Sequence, residues 1–210
     1  TLTIDSKLQQ YGEYLMKGKR GGIIALEPSS GEILALVTSP SYDPNMMVGR
    51  LRSPNSVKLI GDSINKPMYD RGLKGTYPPG SPFKLVNALI GLQEDVIDEN
   101  THFFCHGGYR YGNRKKEFMK CHCDIYGKPI QLNSAISKSC NSYFANTYKR
   151  IIEKNKNSTN GMNNWSTHVK SFGLGNYLGY DLPEGDKGLI PNGDYYNRMY
   201  KHRWNASTNI

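Results

Sequence analysis

Pro78-Pro79-Gly80-Ser81-Pro82-Phe83-Lys84, continuing as LVNALIGLQE to Glu94, is the stretch that decides how this 210-residue chain folds. Phe83, Val86, Leu89 and Ile90 recur at three- and four-residue steps, which predicts a helix over 81–94 apolar enough to be central. Ser81 begins that helix, and Pro82 sits in its first turn, where a missing N–H costs nothing. A serine and a lysine three residues apart share a helix face, so the Lys84 amine can reach the Ser81 hydroxyl. Serine is a weak nucleophile until a neighbouring base accepts its proton. Burial and nearby cations can depress a lysine enough to serve as that base. The positive end of the helix also favours a developing alkoxide. The plain alternative is a capping serine beside a solvated lysine.

Downstream, Ser139-Cys140-Asn141 lies between two helical patterns, 132–138 and 142–154. There Ser139 can relay a proton between Lys84 and a leaving group, and Asn141 can hydrogen-bond an amide of a substrate. Taken alone, Ser and Asn at such a junction are ordinary helix caps.

Working outward, Asp5 caps a helix from Ser6 to about Gly18. The runs 22–26 and 32–39, with Pro28-Ser29-Ser30-Gly31 between them, form a β-hairpin. Prolines punctuate 40–80, which predicts mostly ordered loop. Residues 101–130 are polar, aromatic and glycine-dotted, an irregular insertion. Met162, Trp165, Val169 and Phe172 mark a last helix, closed by Gly173, and no strong period follows. The class is α+β. A lone hairpin is marginal, so the sheet reads as unfinished, with further strands expected beyond Ile210.

Lys and Arg number 27 against 18 Asp and Glu, a net charge of +9. That balance favours anionic partners. With 15 tyrosines it also raises a nucleic-acid-binding module, but no zinc-finger spacing, RNA-binding sheet motif or basic helix with heptads supports one. No run of 18 uncharged apolar residues occurs, and the first residues carry no signal-peptide pattern.

Four cysteines stand at 105, 121, 123 and 140. Two disulfides in an oxidising compartment and a metal site are both open. Cys121 and Cys123, two apart in an extended stretch, point the same way. If Ser139 and Asn141 face a cleft, the Cys140 thiol faces away from it. Four thiolates, or three with His122, fit tetrahedral zinc. Disulfides would have to join Cys121 and Cys123 to Cys105 and Cys140.

A Ser-x-x-Lys at the head of a buried helix followed by Ser-x-Asn between helices matches two of the three parts of the penicillin-recognising serine acyltransferase set. With them stand LTID near the start, Arg20-Gly21-Gly22, Ser30-Gly31-Glu32-Ile33-Leu34-Ala35, Ser39-Pro40-Ser41-Tyr42-Asp43-Pro44-Asn45, Asn141-Ser142-Tyr143-Phe144 and Gly188-Leu189-Ile190-Pro191. In these stretches, which run the length of the chain, it resembles the transpeptidase domain of class B penicillin-binding proteins, most closely their elongation-type branch.

The resemblance implies a penicillin-binding and serine β-lactamase-like fold, with residues 1–210 as a partial domain. It implies a D,D-transpeptidase that cross-links peptidoglycan stem peptides: Ser81 the nucleophile, Lys84 the base, Ser139 the partner of Lys84 at the leaving group, Asn141 the substrate contact. β-Lactams would acylate the same serine. A receptor that senses penicillin on the same fold is the alternative. The family further implies a glycosyltransferase partner in a wall-elongation complex, a pedestal and a membrane anchor, and a place on the outer face of the bacterial cytoplasmic membrane. Catalysis needs no cofactor, and a structural zinc near the Ser139 turn is compatible with elongation-type relatives. The family's third motif, Lys-Thr/Ser-Gly on a core strand, has no match in the sequence. The chain is therefore expected to stop before the strand that supplies half of the oxyanion hole, leaving these 210 residues a much impaired acyltransferase.

Overall fold

The computed structural model describes residues 2–112, 114–179, 182 and 185–206. The chain divides into two compact units, one formed by Thr1–Tyr77 with Gly179–Asp186 and the other by Pro78–Leu178 with Lys187–Ile210.

In the first unit the Asp5 carboxylate accepts from the N–H groups of Lys7 and Leu8 and starts α1 (Ser6–Leu15). Strands β1 (Gly21–Leu26) and β2 (Ile33–Ser39) pair antiparallel with Ile23 opposite Val37 and Ala25 opposite Ala35, the hairpin that the sequence predicts. α1 lies against β2. Gln9 brackets Leu36 by donating to its carbonyl at 2.9 Å and accepting from its N–H at 2.8 Å. Gly12 lets the helix approach, since a Cβ there would meet the buried Val37 side chain at 2.8 Å. The stretch 40–80 is less loop-like than its prolines predict, for α2 spans Arg52–Gly61. Pro54 falls in the first turn, where helices tolerate it. Beyond α2 the buried Arg71 guanidinium donates to the carbonyls of Asn65, Lys66 and Tyr69 and so shapes that loop.

The second unit is helical around a central rod. α5 (Asn141–Glu153) buries Tyr143, Phe144, Thr147, Ile151 and Ile152. It packs against α3 (Phe83–Gln93), α4 (Leu132–Ser137) and α6 (Ser158–Ser171). Gly91 sets the α3–α5 approach, because a Cβ there would stand 2.9 Å from Thr147 Cγ2. α3 turns Ile90 inward but leaves Leu85 and Leu89 half exposed. These two are four residues apart and share the outer face, so Leu89 is not the core residue its spacing suggests. Residues 101–130, expected to be irregular, contribute with Gln131 to two short ribbons. β3 (His102–Phe104) pairs with β6 (Pro129–Gln131), and β4 (Gly108–Arg110) with β5 (Phe118–Lys120). A further unpredicted helix, α7 (Gly193–Tyr200), is capped by the Asn192 side chain on the Tyr195 N–H. An Asn-Gly pair is ordinarily turn chemistry, and it masks the start of this helix.

Glu94, at the end of α3, ties three elements together. Its carboxylate accepts from Lys154 Nζ at 2.9 Å and Asn164 Nδ2 at 2.9 Å, and meets His168 Nε2 at 2.6 Å. The Lys154 bond, with those from Asn164 and His168, holds its pKa near 2 against an ordinary 4.5. A depressed folded-state pKa means that the unfolded chain takes up the proton first. The stabilisation is therefore complete above about pH 4.5 and disappears as pH falls toward 2. Glu94→Gln is expected to lower the denaturation midpoint at pH 7, and the gap from wild type should close progressively over that acid window.

Candidate active site

Two backbone devices set the site, both in the second unit. Gly80 adopts φ +65°, and Phe83 and Lys84 donate to the carbonyls of Gly80 and Ser81 at 3.1 and 3.0 Å. This turn delivers Ser81 two residues ahead of α3, with Pro82 as its cap, and not as the first helical residue. The second device is the junction of α4 and α5. Ser139 N–H donates to Ile136 O at 3.0 Å and Cys140 N–H to Ala135 O at 2.9 Å, the paired bonds of a Schellman cap. Such a cap needs a left-handed residue, usually glycine; here it is Ser139, at φ 49°. A side chain in that conformation costs about 1–2 kcal/mol, so the serine stands against a local preference. Cys140 then caps the next helix, its sulfur accepting from the Tyr143 N–H.

These turns bring Ser81, Lys84, Ser139 and Asn141 together. Lys84 Nζ lies 2.9 Å from Ser139 Oγ, 2.7 Å from Ser139 O and 2.6 Å from Asn141 Oδ1. Ser139 Oγ donates to Ser81 Oγ at 3.0 Å. The lysine therefore reaches Ser81 through the Ser139 hydroxyl, a relay of three groups, where helix spacing predicts direct contact. Asn141 is fixed at both ends of its amide, accepting from Lys84 and donating to Lys120 O at 2.8 Å.

Lys84 borders a cavity of about 280 Å³ walled by Phe83, Phe144, Tyr148, Met162 and Trp165. Burial beside these walls lowers the lysine pKa, partly offset by the cysteine sulfurs behind it. A lysine so placed gives up its proton more readily than a solvated one, as a general base must. Ser81, hydrogen-bonded to a hydroxyl that is itself hydrogen-bonded to the amine, is arranged for nucleophilic attack.

The four cysteines converge behind Ser139 and Asn141. All four sulfurs lie within 4.8 Å of one another, with Cys121–Cys123 at 3.3 Å, Cys123–Cys105 at 3.5 Å and Cys140 at 3.7 Å from both Cys121 and Cys123. Zn–S bonds of about 2.3 Å at tetrahedral angles place sulfurs about 3.8 Å apart, so the donor set fits zinc. His122 is exposed and outside the cluster. The four thiols are unequal. Burial raises Cys121, but the N–H groups of Cys123, Ser142 and Asn141 outweigh it and bring the thiol to about 6. Burial and the neighbouring thiols push Cys105 up to about 11, and burial also raises Cys140.

Residues 21–203 match the family described as "Penicillin binding protein transpeptidase domain". The chain is 34% identical over 203 residues to peptidoglycan D,D-transpeptidase MrdA of Acinetobacter baumannii, covering 97% of this chain and 29% of that protein. Among solved structures it is similar to Pseudomonas aeruginosa PBP2 in complex with WCK 5153, with a TM-score of 0.80 and 32% identity over 98% of this chain and 44% of the other. It is also similar to PBP2 in a complex with MreC from Helicobacter pylori, with a TM-score of 0.79 and 26% identity over 97% and 36%. The chain thus spans about 30% of the length of the curated relative it matches.

Proposed function

The chain belongs to the penicillin-binding protein transpeptidase family, and from that premise we propose that the protein carrying it is an elongation-type peptidoglycan D,D-transpeptidase. Ser81 Oγ attacks the penultimate D-alanine carbonyl of a stem peptide. Its proton passes through Ser139 Oγ to Lys84 Nζ. The C–N bond breaks as the terminal D-alanine amine takes the proton back along the same path. The Ser81 ester is then opened by the amine of a neighbouring stem, which forms the cross-link, and Asn141 holds the stem-peptide amide. β-Lactams acylate Ser81 in place of the stem. On this reading the catalytic region works at the outer face of the bacterial cytoplasmic membrane, beside a glycosyltransferase partner.

The observation that carries this reading is the chain of contacts Ser81–Ser139–Lys84–Asn141 at 2.6–3.0 Å. Peptide mapping after labelling of the full protein with a fluorescent penicillin is expected to place one adduct on the peptide containing Ser81. An adduct on Ser139 instead, or none, overturns the assignment. Cross-linked product from lipid-linked substrate is the result expected of an enzyme; acylation without it would make the protein a penicillin sensor. We further propose that Cys105, Cys121, Cys123 and Cys140 hold one structural zinc. Such an ion would fix the Ser139 turn from behind and take no part in the chemistry.

A further inference from the structure

The ribbon of β3 and β6 has two faces of opposite character. Phe103, Cys105 and Ile130 point inward, where Phe103 packs edge-on to Tyr143 and Cys105 joins the sulfur cluster. Alternation sends His102, Phe104 and His106 to the other side. The register sets Gln131 opposite His102 and Pro129 opposite Phe104, so both share that outer face. The rings touch in a row. Centroids are 6.1 Å apart for the edge-on pair His102–Phe104, 6.4 Å for the nearly parallel Phe104–His106 and 5.8 Å for the edge-on pair His106–Tyr126. Phe104 is 52% exposed and Tyr126 72%.

We propose that this row of rings is a docking surface for the glycan strand of peptidoglycan. The proposal rests on the transpeptidase reading, whose substrate hangs from such a strand. A pyranose ring presents a face of C–H bonds, the natural partner of the electron-rich face of an aromatic ring. Several rings in file suit a polymer of sugars better than one small ligand. The Gln131 amide offers both a donor and an acceptor to acetamido groups. None of the outward positions carries a carboxylate, a lysine or an arginine, so the surface matches the uncharged sugar backbone. The site also has a fixed offset from the chemistry. Cys105, the residue after Phe104, belongs to the sulfur cluster that includes Cys140, the residue after Ser139. A strand lying on the rings would present its stems at a constant distance from Ser81.

The test uses the full protein and peptidoglycan sacculi digested with an amidase to leave stem-free glycan. Wild type is expected to be retained by this soluble glycan once it is immobilised on beads. The double variant Phe104→Ala/Tyr126→Ala should bind about tenfold more weakly, the loss expected for two stacked rings. Phe104→Trp should retain binding. Penicillin labelling of Ser81 should be unchanged in both variants, because neither side chain touches the relay. Unaltered binding by the double variant overturns the proposal. So does wild-type binding to intact sacculi only, which would mean that stem peptides are recognised. Ring-dependent binding to stem-free glycan in a protein that takes no penicillin would uphold the surface and remove the acyl-transfer reading instead.

Discussion

Replacing Lys84 with alanine is expected to slow acylation of Ser81 by a β-lactam roughly 10²- to 10⁴-fold, the range for loss of a positioned general base. Because the amine meets Ser81 through Ser139 Oγ, Ser139→Ala should be nearly as damaging. The double variant should be little worse than either, as residues that act as one unit are not additive. Second-order acylation rates for the three variants settle the point. A nearly full rate in Ser139→Ala beside a dead Lys84→Ala would show that lysine contacts Ser81 directly when substrate is bound. Ser139→Gly separates the two roles of this position. Glycine suits the left-handed cap at φ 49°, so the variant should gain up to about 1 kcal/mol of stability while losing the relay. The pH profile adds a sign. The base works unprotonated, and burial lowers the Lys84 pKa below its usual 10.5. The rate should therefore rise with pH along a limb centred below 10.5, and Lys84→Ala should flatten it.

What was legible in the chain follows the physics of each signal. The helix from Phe83, the hairpin and the α5 pattern rest on periodicities that span many residues, and all three are present. The groups of the relay were legible as a set, since two short motifs at helix ends confine four side chains to one place. Their wiring was not. Helix spacing brings Ser81 and Lys84 to one face, but the turn at Gly80 lifts Ser81 out of the helix, and the bridging hydroxyl comes from 55 residues beyond Lys84. α2 was obscured because Val57 and Ile60 lie outward, 71% and 69% exposed, so its apolar residues trace no buried stripe. The ribbons of 101–131 were missed because three-residue strands are too short to show alternation. What orders them is a cluster of sulfurs drawn from positions up to 35 residues apart, a tertiary constraint that no local window contains.

That constraint leads to the second large effect. Removing metal from the full protein is expected to lower its thermal midpoint by about 10 °C or more and to slow acylation of Ser81 with it. Four of the six sulfur pairs stand at 3.3–3.7 Å, and all lie within 4.8 Å. Without a cation Cys121 is poised to ionise near neutral pH, while burial keeps Cys105 and Cys140 protonated. A divalent ion deprotonates all four and turns crowding into four bonds. The midpoint shift corresponds to about 4 kcal/mol for a domain of this size. The catalytic penalty follows from position. Cys121 Sγ accepts from the Asn141 N–H at 3.2 Å, and Cys140 stands between Ser139 and Asn141. Loosening the cluster therefore frees the left-handed turn that holds the relay. Protein purified without chelator should contain one zinc per chain and four titratable thiols after denaturation. Adding zinc back to the stripped protein should restore both midpoint and rate. A protein with no metal and no free thiol would instead carry two disulfides, with Cys121 and Cys123 bound to Cys105 and Cys140. Its Ser139 turn would then respond to reductant and not to chelator.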